Sequence, residues 1–442
     1  MIETGTPADR AIVVRARTGV DNSEDDARLE EATGLAEALG LDVIESSFAP
    51  VRKIDPGRFF GKGKLDEMAT HIRSLEADIV IVDAALSPVQ QRNLEKAWNV
   101  KVIDRTGLIL EIFGLRARTK EGRLQVELAR LEYERSRLVR TWTHLERQRG
   151  GQGFMGGPGE TQIEADRRML ADKMGRLRRE LEEVRRTRAL HRKSRQVAPY
   201  PMVAIVGYTN AGKSTLFNRI TGAKVFAKDM PFATLDTTVR GFKTPDGTQL
   251  LLSDTVGFII DLPTELVAAF RATLEEVREA DIIVHVLDVS ADDFETRRRE
   301  VEAILDAIDA GAEHDQPVIE VFNKIDLWKN EASLDVETIS DLPRKSEDSV
   351  CAVALSAQTG EGIDRLLHAI DRVMADKSVM LKVQAQPKDQ RAIAWLHEHG
   401  AVISESVDKR GVTTAHARLS PVVAGRFASQ FPDLAPNFED AS

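Results

Sequence analysis

The sequence predicts a multidomain α/β protein, because three of its four segments alternate short apolar runs with amphipathic stretches and the fourth consists of charged heptads. Of its 442 residues, 42% are hydrophobic and 30% charged, which is typical of folded domains. We expect an N-terminal parallel α/β domain over residues 1–110 and a basic helical hairpin over 111–197. A larger α/β domain should follow over 198–376, and a small C-terminal α/β module over 377–442.

In the N-terminal segment, four apolar runs predict strands and the stretches between them predict helices. The strand candidates are AIVV, LDVIESSF, DIVIVDA and VKVID. The helix candidates are DDARLEEATGLAEALG, KLDEMATHIRSLEA and SPVQQRNLEKAWN. This order favours a small parallel sheet covered by helices. The glycine- and lysine-containing loop RFFGKGKLDEM is interpreted as a plain turn, and the alternative is a phosphate site at the helix N-terminus.

The second segment has the apolar spacing of a coiled-coil seam. Its positions step by 4 and 3 alternately on both sides of a glycine-rich patch: Leu124, Leu128, Leu131, Arg135, Leu138, Trp142 and Leu145 before it, and Leu170, Met174, Leu177, Leu181 and Val184 after it. Two such helices joined by one loop most simply form an antiparallel hairpin, with its tip at residues 150–160.

Positive charge is concentrated in this hairpin, although the whole chain has a formal net charge of −10. Residues 115–196 contain 22 Lys and Arg against 12 Asp and Glu, whereas the remainder contains 39 against 59. A basic segment in an acidic protein is typical of polyanion binding, and the alternative is a set of ordinary solvated helices. The polar N-terminus, the single Cys351 and the lack of any long apolar run favour a cytoplasmic protein without a membrane span.

Two glycine-rich stretches match nucleotide-binding patterns, but only one has the required context. Gly151, Gly153 and Gly156 have G-x-G-x-x-G spacing, yet they follow a helix rather than a strand, so this patch is interpreted as the tip of the hairpin. GYTNAGKST at Gly207–Thr215 matches G-x-x-x-x-G-K-[ST], follows the strand VAIV and opens the helix STLFNRI. Backbone amides of such a loop surround phosphates, with Lys213 at the β- and γ-phosphates and Ser214 on Mg²⁺.

Three further motifs follow in the order of a GTP-binding domain. Asp254 ends the strand of LLLSDTVG, where it can hold the water shell of Mg²⁺, and Gly257 can approach a γ-phosphate. NKID at Asn323–Asp326 follows the strand VIEVF, and the Asp326 carboxylate can accept two hydrogen bonds from guanine. SAQTG at Ser356–Gly360 can close over the guanine O6 edge. For the switch threonine, Thr234 is favoured over Thr237 and Thr238.

The position after D-x-x-G differs from that of Ras-type enzymes. There a glutamine orients the attacking water, whereas here the residue is Phe258, which cannot do so. We therefore expect slow intrinsic GTP hydrolysis, assisted by a partner, by a monovalent cation or by another residue. Asn210 is a candidate ligand of K⁺, and the alternative is a loop-shaping asparagine.

The predicted site falls into groups by role. Catalysis is assigned to Lys213, Thr234, Gly257 and Asn210, and the metal to Ser214, Thr234 and, through water, Asp254. Nucleotide binding is assigned to Gly207, Tyr208, Thr209, Asn210, Ala211, Gly212, Lys213, Ser214, Thr215, Phe232, Ala233, Thr234, Leu235, Asp236, Asp254, Thr255, Val256, Gly257, Asn323, Lys324, Ile325, Asp326, Ser356, Ala357 and Gln358.

These motifs resemble those of the HflX family, GTPases of the translation-factor class related to Obg. GYTNAGKSTLFN, FATLD, DTVGFI, NKID and SAQTG resemble its five G motifs, RFFGKGKLDE its N-terminal signature and GQGFMGGPGETQIEADRR its hairpin loop. The resemblance covers nearly the whole chain. It implies a protein that binds GTP, GDP and Mg²⁺, associates with the large ribosomal subunit through its N-terminal region and helps to split ribosomes. The C-terminal module is the less typical part and receives no role.

The leading hypothesis is therefore a monomeric, ribosome-associated GTPase whose hairpin contacts rRNA, in the cytoplasm, at the ribosome or peripherally at the membrane. The rRNA contacts would be Arg147, Arg149, Phe154, Arg167 and Arg168, with Phe154 able to stack on a base. The alternative is a regulatory GTP switch whose hairpin docks protein partners. An RNA-modifying or metabolic enzyme with an auxiliary GTP-binding domain is less favoured, because no second catalytic cluster is evident.

Overall fold

The computed structural model describes residues 8–17, 23–148, 158–195, 200–223, 231–232, 238–259, 274–314, 316–328, 351–376, 379–399, 401–408, 410–419, 421–434 and 437–439. Within these ranges three sheets and a helical hairpin follow one another along the chain. This architecture confirms the predicted α/β multidomain fold class. Among the described helices, none is long and apolar enough to cross a bilayer.

The N-terminal unit is a parallel four-stranded sheet with helices on both faces. Its elements are β1 (Arg10–Arg17), α1 (Ser23–Ala38), β2 (Asp42–Pro50), α2 (Lys62–Ser74), β3 (Ile79–Val82), α3 (Pro88–Trp98), β4 (Lys101–Asp104) and α4 (Arg105–Arg116). The strand order is β2-β1-β3-β4, and all three pairings are parallel, as the predicted alternation of strands and helices favours. Helix α3 begins with a capping box, in which the Ser87 hydroxyl and the Gln90 side chain each bind the other's backbone N–H.

Two long helices, α5 (Lys120–Gln148) and α6 (Pro158–Arg195), form the hairpin. Their seam contains buried side chains at predicted positions: Leu124, Leu131, Met174, Leu177 and Leu181, with Leu128, Leu170 and Val184 half-buried beside them. Arg135 is exposed, and the side chains of Leu138, Trp142 and Leu145 lie outside the described part. Lys173 and Arg178 of α6 each bind a glutamate of α5 at 2.8 Å.

The middle of helix α5 is joined to the N-terminal sheet through Asp104, the last residue of β4. Its carboxylate is 1% exposed and caps α4 by accepting the Gly107 N–H at 2.8 Å. It also accepts hydrogen bonds from the Tyr133 hydroxyl at 2.5 Å and from the Arg137 guanidinium at 2.6 Å, both on α5. Since α4 and α5 meet at one buried carboxylate, the first helix of the hairpin is held to the N-terminal unit along its middle.

The third unit has a six-stranded sheet of order β10-β9-β8-β5-β7-β6. Its elements are β5 (Met202–Gly207), α7 (Lys213–Thr221), β6 (Thr238–Lys243), β7 (Gln249–Asp254), β8 (Ile282–Asp288), α8 (Phe294–Ala307), β9 (Val318–Asn323), β10 (Cys351–Ala354) and α9 (Ile363–Asp376). All neighbouring strands are parallel except β6, which pairs antiparallel with β7. Residues 274–278 are also helical, and short 3-10 turns lie at Ala312–His314 and Ile325–Leu327.

The C-terminal unit has an antiparallel sheet of order β12-β13-β11-β14. It runs β11 (Val379–Ala385), α10 (Gln390–His399), β12 (Ala401–Val407), β13 (Thr413–Leu419), α11 (Pro421–Gln430) and β14 (Asn437–Glu439), with 3-10 turns at Pro387–Asp389 and Pro432–Leu434. Buried side chains on alternate positions of β11 and β13, such as Leu381 and Ala417, share one core with Phe427 of α11. These elements form the small α/β module that the sequence predicts at the C-terminal end.

The N-terminal and third units share a continuous apolar core. Residues of α4, including Phe113, belong to the same buried cluster as Val206, Phe232 and Phe258. The rings of Phe113 and Phe232 pack edge to face with centroids 4.6 Å apart. Two domains joined by buried aromatic side chains move less freely than domains joined by a polar surface.

Candidate functional site

The loop between β5 and α7 has a backbone that demands glycine at both ends. Gly207 has a φ of 148°, and a Cβ there would lie 2.3 Å from the Val286 carbonyl oxygen. Gly212 has a φ of 95°, and its Cβ would lie 2.2 Å from Nδ2 of Asn323. Asn210 adopts the left-handed region with a φ of 61° and is exposed. The loop therefore passes close to β8 and β9 before opening the helix, as a phosphate-binding loop does.

Lys213 begins α7 and is folded back onto this loop. Its Nζ donates to the Tyr208 carbonyl oxygen at 2.6 Å, and the residue is 6% exposed. Burial lowers the pKa of Lys213 to about 8, while the charge of Asp254 acts in the opposite direction. A buried cation of this kind is suited to an anionic ligand such as a phosphate.

Ser214 and Asp254 meet at the carboxyl end of β7. The Ser214 hydroxyl donates to Oδ2 of Asp254 at 2.8 Å, and Asp254 is fully buried. A hydroxyl beside a carboxylate is an all-oxygen donor set, which suits Mg²⁺. The residues present therefore fit the metal that the sequence motifs predict.

The D-x-x-G segment lies directly against the phosphate loop. The Thr209 N–H donates to the Phe258 carbonyl at 2.7 Å, and the Phe258 N–H donates to the Gly207 carbonyl at 3.1 Å. A Cβ on Gly257 would lie 2.9 Å from Cα of Thr209 and 3.1 Å from Nζ of Lys213. The Phe258 ring is 5% exposed and belongs to the core shared with the N-terminal unit.

Asn323, at the end of β9, connects three of the predicted motifs. Its Nδ2 donates to the Ala211 carbonyl of the phosphate loop at 2.7 Å. Its Oδ1 accepts the Ala357 N–H of SAQTG at 2.9 Å. Asn323 is 1% exposed, so its amide positions these loops rather than facing solvent. The sequence predicted a nucleotide-binding role for Asn323 and did not predict these two hydrogen bonds.

The other residues predicted to bind the guanine base lie near Asn323. Lys324 has a φ of 67°, and its Nζ binds Oδ2 of Asp288 at 2.6 Å. Asp326 is exposed in the turn that follows. Arg219 of α7 donates to the Ala357 carbonyl at 3.3 Å and to the Gln358 carbonyl. Sequence reasoning missed Asp288 and Arg219; Asp288 closes a strand in the same way as Asp254 does, which was an available signal.

Several predicted residues fall outside the described part of the chain. These are Ala233, Thr234, Leu235, Asp236 and Thr237 of the switch segment, and Arg149 and Phe154 of the hairpin tip. Arg147 is described only in its backbone, whereas Arg167 is half-buried and Arg168 exposed on α6. Phe232 is 2% exposed and packs on Phe113, and Thr238 is the first residue of β6.

A group of charged side chains reaches the phosphate loop from the N-terminal unit, and no sequence pattern indicated it. The Tyr208 hydroxyl donates to Oε1 of Glu31 in α1. From the third unit itself, the guanidinium of Arg297 on α8 lies 4.9 Å from the centroid of the Tyr208 ring. Oε2 of Glu31 binds Arg105 at 2.5 Å, and Arg105 also binds Asp83 at 2.8 Å. Burial lowers the pKa of Arg105, but Glu31 and Asp83 outweigh this and raise it.

Comparison with known proteins places the chain in a family. Four family models match it in succession: "GTP-binding GTPase N-terminal" over residues 26–114, "GTP-binding GTPase Middle Region" over 116–195, "50S ribosome-binding GTPase" over 202–324 and "HflX C-terminal domain" over 341–433. Among solved structures, a GTP-binding protein from Sulfolobus solfataricus in complex with GDP is 24% identical and matches with a TM-score of 0.46. That match covers 83% of this chain and 98% of the other.

Curated relatives match over almost the whole length. GTPase HflX of Magnetococcus marinus is 46% identical over 97% of each chain. GTPase HflX of Escherichia coli is 41% identical over 98% of this chain and 99% of its own. With this identity over nearly all of its residues, the chain belongs to the HflX family of GTPases.

Proposed function

We propose that this member of the family binds GTP with Mg²⁺, hydrolyses it, and couples the bound nucleotide to association with the large ribosomal subunit, where it splits or rescues ribosomes. One observation carries the proposal. The phosphate loop and the segment leading to the switch are in direct contact with the N-terminal unit, through Tyr208 on Glu31 and Phe232 on Phe113. The basic hairpin is joined to that same unit through Asp104.

Nucleotide binding is assigned to the loop and to the residues around Asn323. Backbone amides of Gly207–Thr215 and the Lys213 ammonium would surround the phosphates. Ser214 and Thr234 would bind Mg²⁺ directly and Asp254 through water, which neutralises charge on the phosphates. Asp326 would accept from guanine N1–H and N2–H₂, and Asn210 would offer its side-chain oxygen to K⁺.

Hydrolysis in this site would need help from outside it. The Phe258 side chain is packed in the core and has no group with which to orient water. Lys213 and the Gly257 N–H would stabilise the charge that develops on the γ-phosphate, leaving the water to be placed by a partner or by K⁺. Slow intrinsic turnover that rises on the ribosome follows from this arrangement.

Contact with rRNA is assigned to the hairpin. The charge of the segment, with 22 Lys and Arg against 12 Asp and Glu in residues 115–196, suits the phosphate backbone. Arg147, Arg149, Phe154, Arg167 and Arg168 flank or lie in its tip, where arginines would bind phosphates and Phe154 would stack on an unpaired base. The seam side chains of α5 and α6 are buried against each other. Docking of protein partners through that seam is therefore the less favoured alternative.

The test is co-sedimentation of the protein with purified large subunits in the presence of a non-hydrolysable GTP analogue, GDP or no nucleotide. We expect binding to be strongest with the analogue and to weaken steeply with salt, since phosphate contacts release counterions. Absence of any nucleotide-dependent association would refute the ribosome proposal. Binding that depends on nucleotide but is insensitive to salt would favour protein docking.

Two double charge reversals, one in the hairpin and one in the C-terminal unit as a control, test whether the hairpin contacts the large subunit. Arg167→Glu with Arg168→Glu should weaken subunit binding by at least tenfold and reduce its salt dependence, because two phosphate contacts are lost. Lys388→Glu with Arg391→Glu removes the same charge from exposed positions of the C-terminal unit. This control should bind like the unmodified protein, and both variants should bind GTP normally.

A further inference from the structure

A second group of metal-ligating side chains lies in the third unit, far from the phosphate loop. Asp246 is in the turn between β6 and β7, and His368 and Asp371 lie on α9. One ligand atom from each of the three lies within 4.8 Å of the other two. Strands β6 and β7 pair Thr238 with Asp254 at one end and Lys243 with Gln249 at the other. The turn therefore lies roughly 20 Å from Asp254, given about 3.4 Å per residue.

Asp371 is buried in a way that its protein partners do not fully satisfy. The residue is 4% exposed, and among the described residues its Oδ1 has no hydrogen-bond partner. Oδ2 accepts a long hydrogen bond of 3.4 Å from the Asp246 N–H, and the Thr244 side chain is also close to the carboxyl group. An ionised carboxylate is costly away from water, most of all where one of its oxygens has no hydrogen-bond donor. A bound cation would remove this cost.

The three side chains form a chelating set of one nitrogen and two carboxylates. His368 and Asp371 are three residues apart on a helix and so project from the same face. Asp246 reaches them from a different element, and both Asp246 and His368 are exposed, which leaves the outer side of the cluster open to solvent and to ions. Zn²⁺ holds imidazole and carboxylate ligands at about 2.0–2.2 Å, so donor atoms on one ion are at most about 4.4 Å apart. A small movement of the two exposed side chains is enough.

We propose that Asp246, His368 and Asp371 form a binding site for a divalent transition-metal ion that connects the β6–β7 turn to helix α9. An imidazole ligand favours Zn²⁺ and similar ions over Mg²⁺ and Ca²⁺, which prefer oxygen alone. Water fills the remaining coordination positions. The site is separate from the Mg²⁺ site at Ser214 and Asp254 and does not depend on the function proposed above.

The β6–β7 hairpin explains why such a connection matters. Its first strand begins at Thr238, directly after the switch segment, and its second ends at Asp254, beside Ser214. A metal ion at the turn fixes the far end of this hairpin to α9 while its nucleotide end stays free. The ion therefore stabilises the third unit and restrains any sliding of the hairpin along the sheet.

Isothermal titration of the full chain with Zn²⁺ tests the site. The protein is treated with chelator, dialysed, and saturated with Mg²⁺ and GDP so that the phosphate loop is filled. We expect the unmodified protein to bind one equivalent more Zn²⁺ than His368→Gln or Asp246→Asn, or to bind that equivalent at least tenfold more tightly. Both substitutions are at exposed positions and should preserve the fold. Mg²⁺ in millimolar excess should not compete.

A control variant separates this site from other surface histidines. His397→Gln removes an exposed histidine that binds Glu405 in the C-terminal unit. It should titrate like the unmodified protein, and the rise in thermal unfolding midpoint with Zn²⁺ should be kept in this variant and lost in His368→Gln. Equal stoichiometry and affinity in the unmodified protein and in both site variants would overturn the proposal.

Discussion

The hydroxyl of Tyr208, in the phosphate loop, donates a hydrogen bond to the carboxylate of Glu31, in helix α1 of the N-terminal unit. The two residues are 177 positions apart, and each is largely buried. Glu31 is in turn bound by Arg105, and Arg105 by Asp83. Since the carbonyl of Tyr208 also accepts from Lys213, a change in the phosphate loop moves a residue that the N-terminal unit holds directly.

Tyr208→Phe should separate the contact of the Tyr208 hydroxyl with Glu31 from the contact of the Tyr208 carbonyl with Lys213. It removes the hydrogen bond to Glu31 but retains the ring and the backbone carbonyl, so affinity for GDP should change less than about threefold. A hydrogen bond to a charged partner contributes about 1.5–3 kcal/mol, and the free energy of unfolding should fall by about that amount. Urea denaturation of Tyr208→Phe, Glu31→Gln and the double variant measures the coupling. Strictly additive effects would show that the two side chains do not interact.

The contact between Phe113 and Phe232 should make the position of the N-terminal unit depend on which nucleotide is bound. Phe113→Leu keeps an apolar side chain but loses the edge-to-face pair, for an expected loss of about 0.5–1.5 kcal/mol plus the lost packing. Because Phe232 lies two residues before Thr234, the difference in large-subunit affinity between the GTP-analogue and GDP forms should shrink. Phe427→Leu, in the separate core of the C-terminal unit, is the matched control. A difference unchanged by Phe113→Leu would contradict the prediction.

Gly257→Ala should weaken the binding of GTP more than the binding of GDP. The added methyl would lie 2.9 Å from Cα of Thr209 and 3.1 Å from Nζ of Lys213, so either the loop or the D-x-x-G segment must move. The γ-phosphate needs both in place, whereas GDP does not. Fluorescent-nucleotide titration should show at least tenfold weaker binding of the GTP analogue with GDP binding nearly unchanged. Gly241→Ala, whose Cβ has a nearest contact of 4.0 Å, should bind both nucleotides normally.

Asp326→Asn tests the assignment of the base-binding carboxylate. Asparagine cannot accept both hydrogen bonds from guanine, but its amide can donate to the oxygen at position 2 of xanthine, so preference should shift from GTP toward XTP. Loss of one charged partner should weaken GTP binding by roughly ten- to a hundredfold. Asp326 is exposed, so the fold should be unaffected. Unchanged GTP affinity would place guanine recognition elsewhere.

Elements with a local pattern could be predicted from the sequence, and β6 shows the limit. Strands such as IVIV at Ile79–Val82 are continuous apolar runs, and the hairpin seam repeats every three or four residues, so short windows suffice. Strand β6, TVRGFK, lies at a sheet edge, and only Phe242 of its residues is buried. Without alternation it resembles a loop, and the sequence analysis considered only its first residue, Thr238, as a candidate switch threonine.

In the candidate site, too, residues within a local motif could be predicted, whereas contacts between distant segments could not. Lys213, Ser214 and Asp254 were predicted because a strand, a tight loop and a helix follow one another in sequence, and the structure brings them together. The hydrogen bond from Tyr208 to Glu31 joins residues 177 positions apart. The two hydrogen bonds of the Asn323 side-chain amide join residues 112 and 34 positions apart. Such contacts form only when the folded sheets and loops pack against one another. No sequence pattern within one segment predicts them.

His285, in the centre of β8, should make the stability of the third unit depend on pH. It is 1% exposed, and burial together with the charges of Arg298 and Lys213 lowers its pKa to about 3. Between that value and its ordinary pKa of 6.5, the unfolded chain binds a proton that the folded chain does not. The free energy of unfolding therefore falls as pH drops below 6.5, by about 1.4 kcal/mol per pH unit from this group.

Urea denaturation between pH 7.5 and 5 measures this slope. His285→Leu should reduce it by about 1.4 kcal/mol per pH unit below 6.5, because the group that takes up the proton on unfolding is gone. Among the described residues Nε2 of His285 has no hydrogen-bond partner, so an apolar replacement loses no hydrogen bond at that atom. His416→Gln removes a half-buried histidine from β13, in another unit, and serves as the matched control. If His285→Leu keeps the slope of the unmodified protein, then His285 is protonated in the fold, and a buried counter-charge such as Glu320 on the adjacent strand would have to stabilise it.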